Sequence, residues 1–158
     1  GNTFDNVGSL SPVTGGPAAI VLTTSGNRIA GNTFTGNDPG VFDQICDAGN
    51  HPNGAPNRFN DNTFTGGVDG IFYFAVSPDQ CPQTTDRISR NSFSGNSGFG
   101  VRWYPVDTAP NDVDARCNWW GSADGPGAEG ADRITSGVVA TPWKVEPGTR
   151  PGVCSGGL

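Results

Sequence analysis

Methionine is absent from this 158-residue chain, lysine occurs once, at Lys144, and histidine once, at His51. A lone histidine beside Pro52 and Gly54 reads as a solvated turn residue rather than as a general base or a metal ligand. Positive charge is scarce: nine Lys plus Arg stand against fifteen Asp plus Glu, a net charge of −6. No basic run is available to neutralise phosphates, which argues against nucleic acid as a partner, and one lysine makes no polybasic membrane patch. No apolar stretch approaches the length of a membrane span, and no signal peptide is visible. No window holds a sustained 3.6-residue period, which argues against a helical fold. Four cysteines are few, and none sits at a short metal-ligand spacing.

What the chain does contain is a repeat. Arg28-Ile29-Ala30-Gly31-Asn32-Thr33-Phe34 returns as Arg58-Phe59-Asn60-Asp61-Asn62-Thr63-Phe64 and as Arg87-Ile88-Ser89-Arg90-Asn91-Ser92-Phe93. A truncated copy, Asn2-Thr3-Phe4, opens the sequence, and a degenerate one, Asn118-Trp119-Trp120, follows. The column asparagines Asn2, Asn32, Asn62, Asn91 and Asn118 are 30, 30, 29 and 27 residues apart. A period of that length denotes a solenoid, in which no unit can bury its apolar face without a neighbour. The apolar runs are short, alternating and rich in Ile, Val, Phe and Thr, so the units are β. Each carries three short strands, near Ile29, Phe34 and Val41. Stacked in register at about 4.8 Å, they would line one interior with Ile29/Phe59/Ile88, Phe34/Phe64/Phe93/Trp120 and Val41/Ile71/Val101.

The Asn-x-Phe columns resemble the repeats of right-handed parallel β-helix proteins of the pectate-lyase-like and NosD-like kind. The stretch Asn118-Trp119-Trp120-Gly121-Ser122, with Gly125-Pro126-Gly127 and Thr141-Pro142-Trp143, is similar to the segment that ends many such helices. The resemblance implies an all-β, single-stranded right-handed parallel β-helix of about five coils. Its coils occupy 1–114, and the last coil with a C-terminal cap occupies 115–158. The chain starts inside a repeat, as a mature product or an excised fragment would. This fold hosts enzymes, adhesins and inert spacers alike, so activity has to be argued from a site.

Four cysteines permit three pairings. Cys46 and Cys81 both follow the Val41-type strand in neighbouring coils, and Cys117 lies in the last coil with Cys154 in the Gly/Pro-rich tail. The expected bridges are therefore Cys46–Cys81 and Cys117–Cys154, which imply an oxidising, extracellular or cell-surface location.

Three groups are candidates for function. Asparagines stacked in register read as scaffold, hydrogen-bonding along the stack. The column Arg28, Arg58 and Arg87 repeats a positive charge each coil. Water, Asp61, Asp86 or an anionic ligand such as a uronate sugar would offset the repulsion. The strand after each Phe brings Phe42, Phe72 and Arg102, then Asp43, Tyr73 and Trp103, then Phe74 and Tyr104. From these, Asp43, Phe72, Tyr73, Phe74, Arg102, Trp103 and Tyr104 are taken as a ligand-binding face on which rings stack against sugars and Asp and Arg bond hydroxyls or carboxylates.

No acid pair matches a catalytic motif, so no catalytic residue is assigned and the enzyme question leans to no. No cofactor is expected, with Ca²⁺ held by the loop carboxylates Asp107, Asp112 and Asp114 left as an open alternative, although they lack the fixed spacing of a known loop. The expectation is a structural or adhesive module of the cell surface that contacts polysaccharide. The alternative is a polysaccharide lyase or glycoside hydrolase fragment. A third reading, a filament subunit, self-associates through the uncovered coil at Gly1 to Phe4.

Overall fold

The computed structural model describes residues 1–5, 18–44, 55–74, 86–104, 113–147 and 154–156. The expected Cys46–Cys81 bridge, His51, and Asp107 and Asp112 lie outside the described residues. Every regular element within them is a strand, and most belong to three parallel sheets. The arginine sheet stacks β3 (Arg28–Ala30), β6 (Arg58–Asn60), β9 (Arg87–Ser89), β12 (Val113–Asp114) and β14 (Val138–Val139). The phenylalanine sheet stacks β1 (Thr3–Asp5), β4 (Thr33–Thr35), β7 (Thr63–Thr65) and β10 (Ser92–Ser94). The valine sheet stacks β2 (Ile20–Leu22), β5 (Val41–Asp43), β8 (Asp69–Phe74), β11 (Phe99–Tyr104) and β13 (Arg133–Ile134). The chain visits the three in turn, so the protein is a β-solenoid. Three turns are complete and partial ones flank them, which is why five repeat copies do not make five full coils.

Register follows the repeat residue by residue. Ile29 faces Phe59 and Phe59 faces Ile88; Phe4, Phe34 and Phe64 align, as do Phe64 and Phe93; Val41, Ile71 and Val101 align in the third sheet. The rings of Phe4, Phe34, Phe64, Phe93 and Trp120 form a continuous pile with centroids 4.6–5.0 Å apart and planes within 11° of parallel. Phe59, Phe93 and Trp120 are wholly buried. Gly70 lets this pile fit: a Cβ there would come within 2.6 Å of the Gly100 carbonyl oxygen and 2.8 Å of the Phe93 ring.

Turns of left-handed backbone bracket β4, β7 and β10 of the phenylalanine sheet. Gly31, Asp61, Arg90 and Cys117 (φ 69°, 59°, 60° and 62°) precede the column asparagines, and Gly36, Gly66 and Gly95 (φ 64°, 64° and 70°) follow the strands. Glycine adopts this region freely, whereas Asp61, Arg90 and Cys117 are held there by the stack.

The asparagine column behaves as expected of scaffold. The Oδ1 of Asn32, Asn62, Asn91 and Asn118 each accepts the backbone N–H and the side-chain Nδ2–H of the asparagine one coil earlier. Two further ladders occupy the other corners. Asn27 N donates to Asn57 Oδ1 (2.8 Å) and Asn57 N to Asp86 Oδ1 (2.7 Å). Gly67 N donates to Asn96 Oδ1 and Asn96 N to Asp132 Oδ1, both 3.0 Å. Buried backbone donors at the corners have no ladder partner of their own, and these side chains supply one.

The segment from 115 onward adds partial turns through β13 and β14 before it closes the end. There β15 (Trp143–Lys144) pairs antiparallel with β16 (Cys154–Gly156), and the Cys117–Cys154 disulfide ties that pair to the last coil. Trp143 donates from Nε1 to the Ala123 carbonyl at 3.0 Å and lies against Gly125.

Candidate functional site

The outer surface of the valine sheet is built by alternation from the inward column Val41, Ile71 and Val101. One residue on, Phe42, Phe72 and Arg102 point outward in register; three on, Phe74 and Tyr104 do the same. The inward position two residues on belongs to Asp43, Tyr73 and Trp103, each 0 % exposed. These three were expected on the binding face and are corrected here: they sit on the same side of the strand as Val41, and Tyr73 and Trp103 stack within the core at 5.6 Å. Of the seven residues of that face, Phe72, Phe74, Arg102 and Tyr104 point away from the interior. Phe72 is only 1 % exposed and is covered by its neighbours, so it too is corrected: Phe74, Arg102 and Tyr104 are the ones that reach the surface.

They form a rigid strip. Phe42, Phe72 and Ala18 make a small apolar cluster of their own, against which Phe74 packs. The Arg102 guanidinium lies over the rings of Phe72, Phe99 and Tyr104, 5.1, 5.6 and 5.9 Å from their centroids. Its Nη1 donates to Asp69 Oδ2 at 3.2 Å. Asp69 is nearly buried, also accepts from Phe99 N at 2.9 Å, and has its carboxyl pushed up by burial, against the pull of Arg102. At the edge of the strip Phe74 and Tyr104 are parallel, 5.9 Å apart and 7° from coplanar orientation, with Tyr104 36 % exposed. A flat exposed ring beside a fixed guanidinium can stack on a pyranose and donate to its oxygens.

Phe99 and Arg133 belong to the strip and were not anticipated. The Arg133 guanidinium lies 4.7 Å from the Phe99 centroid. Strict alternation from Val101 would turn Phe99 inward, but a Cβ at Gly100 would already meet the Trp120 ring at 2.9 Å, so Gly100 and Val101 both face the interior. The register skips at that point. The recurrent Gly-Val and Gly-Ile steps at Gly40, Gly70 and Gly100 were the available signal.

The acids that do come together are internal. Asn57 bridges them, donating from Nδ2 to Asp43 Oδ2 at 3.0 Å and from its backbone N to Asp86 Oδ1. The Tyr73 hydroxyl donates to Asp86 Oδ2 at 3.4 Å. Burial pushes the Asp43 carboxyl well above the usual carboxylate range, the Asp86 charge pushes it further, and Asn57 opposes both. Among the described residues Asp43 Oδ1 has no hydrogen-bond partner. Asp86 is engaged by Asn57 and Tyr73, and Asp61 is bonded to Arg90 through two hydrogen bonds of 2.8 Å while also feeling the charge of Arg28. Asp114 is held in the same way by Arg116. Among the described residues no group of three or more His, Cys, Asp or Glu side chains could hold a metal ion, and no helix is long and apolar enough to cross a membrane.

No protein-family model matches the chain, and neither a curated protein nor a solved structure matches it at a significant level.

Proposed function

We propose that the protein is a structural or adhesive β-solenoid module of the extracellular space or cell surface, which contacts polysaccharide through the outer strip of the valine sheet. The observation that carries this reading is the parallel Phe74–Tyr104 pair beside Arg102, a cation fixed over three rings by a nearly buried carboxylate. Such a strip is organised before any ligand arrives, so little ordering entropy opposes binding. The Cys117–Cys154 bridge supports an oxidising compartment. Lyase or hydrolase chemistry gains no support from Asp43 and Asp86, which are enclosed in the wall and out of a substrate's reach.

A glycan array tests the reading with wild type and Tyr104→Ala. Tyr104 is exposed, so its truncation leaves the melting temperature within about 2 °C. The expected outcome is wild-type binding to at least one glycan class, weakened about tenfold by the substitution, as loss of one stacked ring implies. Absence of wild-type binding across the array removes the carbohydrate reading. Tyr73 and Trp103 are unsuitable probes, because truncating them opens the core.

A further inference from the structure

Arg28, Arg58 and Arg87 align strand to strand along the arginine sheet. All three are exposed, and among the described residues none makes an ion pair. Parallel strands set them about 4.8 Å apart, so each repels its neighbour. Asp114 follows Arg87 as the next rung of the column and is bonded to Arg116, and Asp61 is bonded to Arg90. Arg28, Arg90 and Lys144 act on Asp61, while Arg116 and Arg87 act on Asp114. With Arg58 between, the three stacked arginines, unpaired among the described residues, stand beside two arginine–aspartate pairs, Arg90 with Asp61 and Arg116 with Asp114, in a protein whose net charge is −6. Beside the ladder the adjoining outward column is small and polar, Ala30, Asn60 and Ser89, with Asn60 Nδ2 bonded to Ser89 Oγ at 2.9 Å.

From this we infer that the arginine sheet is a docking surface for a linear acidic polysaccharide lying along the solenoid axis, its acid groups meeting the guanidiniums of successive coils. Guanidiniums repeated at the strand spacing of about 4.8 Å form a dense linear row of positive charge, which a polymer carrying closely repeated carboxylates or sulfates can engage at more than one rung at once. The guanidinium fork accepts a planar carboxylate through two hydrogen bonds, which a lysine could not match. The low column of Ala30, Asn60 and Ser89 leaves room for the sugar rings beside the charges. Binding relieves the repulsion that the ladder carries when empty. This surface is separate from the Phe74–Tyr104 strip and uses different residues.

The test is retention of the intact protein on immobilised polygalacturonate, which bears only carboxylates, and on chondroitin sulfate, which alternates carboxylate and sulfate, with dextran as the neutral control. Wild type is expected to be retained on at least one acidic polymer and not on dextran, and to be released as salt is raised. Arg58→Gln should weaken retention about tenfold, and the triple variant Arg28→Gln/Arg58→Gln/Arg87→Gln should abolish it, with melting temperatures equal to or above wild type because like charges have been removed. Tyr104→Ala should be retained as wild type is, so failure of the strip as a sugar site and failure of this ladder give different results. Retention on neither acidic polymer overturns the inference, as does a triple variant that binds undiminished. Release by duplex DNA as effective as release by free polygalacturonate also overturns it, since the surface would then recognise charge alone.

Discussion

Asp43 is the residue most at odds with its surroundings. Its neighbours in the column are Leu22 and Tyr73, one of its oxygens is bonded to Asn57, and the other meets no donor among the described residues. Because burial and Asp86 raise its folded-state pKa above the unfolded value of about 3.9, the folded protein holds this proton more tightly. The resulting stability is fully present below that unfolded value and is lost as pH rises through the raised folded one. Burial also raises Asp69 and Asp132, with the same sign, whereas Asp61 and Asp114 are lowered by their arginine partners and are more exposed. Asp43→Asn keeps an acceptor for Asn57 and removes the charge. It is expected to raise stability at neutral pH by about 1–3 kcal/mol and to flatten the decline that sets in as pH rises above about 4, read by urea denaturation at each pH. A variant whose curve runs parallel to wild type would show that Asp43 does not carry the dependence. That Asp43, Tyr73 and Trp103 share an inward column was readable from the sequence by counting two from Val41. Grouping them with the outward residues of the strand ignored that count, and alternation places them inside.

Among the elements, the corners rather than the strands are where identity matters most. Asn91 receives the backbone and side-chain N–H of Asn62, and its own Nδ2 bonds the Phe59 carbonyl at 2.9 Å. Asn91→Ala leaves the buried Asn62 N–H and the Phe59 carbonyl without these partners, at about 1–3 kcal/mol for each. The total expected loss is about 3–5 kcal/mol in chemical denaturation. Asn2 lies exposed at the end of the same ladder and only donates, so Asn2→Ala should cost less than about 1 kcal/mol. Equal losses would mean that the ladder is not what holds the corner. This column was legible because one residue type recurs at one spacing. The two other ladders were not: Asp86 replaces asparagine after Asn27 and Asn57, and Gly67 interrupts the series that runs from Asn96 to Asp132. An acceptor oxygen is all each position requires, so a pattern written for asparagine alone passes over them.

At the scale of the molecule, the order of the three sheets was legible from the period, and the distribution of charge was not. A net charge of −6 hides a basic side that exists only once Arg28, Arg58 and Arg87 are stacked. The C-terminal end depends on a covalent tie: Cys117 and Cys154 close a loop of 37 residues around the pairing of β15 with β16. Cys154→Ser is expected to lower stability by about 3–4 kcal/mol and to speed amide exchange at Trp143 and Lys144 before the central coils respond. Uniform loss of protection across all coils would instead indicate that the cap and the solenoid unfold as one unit. The pile of five rings from Phe4 to Trp120 spans the whole stack at near-contact spacing. Electronic transitions in rings so placed couple, and the chirality of the wall makes their shared excitation optically active. Phe64→Leu would divide the pile into two isolated pairs, so its near-ultraviolet dichroism should fall by more than one chromophore in five. The interior thus doubles as a built-in gauge of whether every turn of the rod is in place.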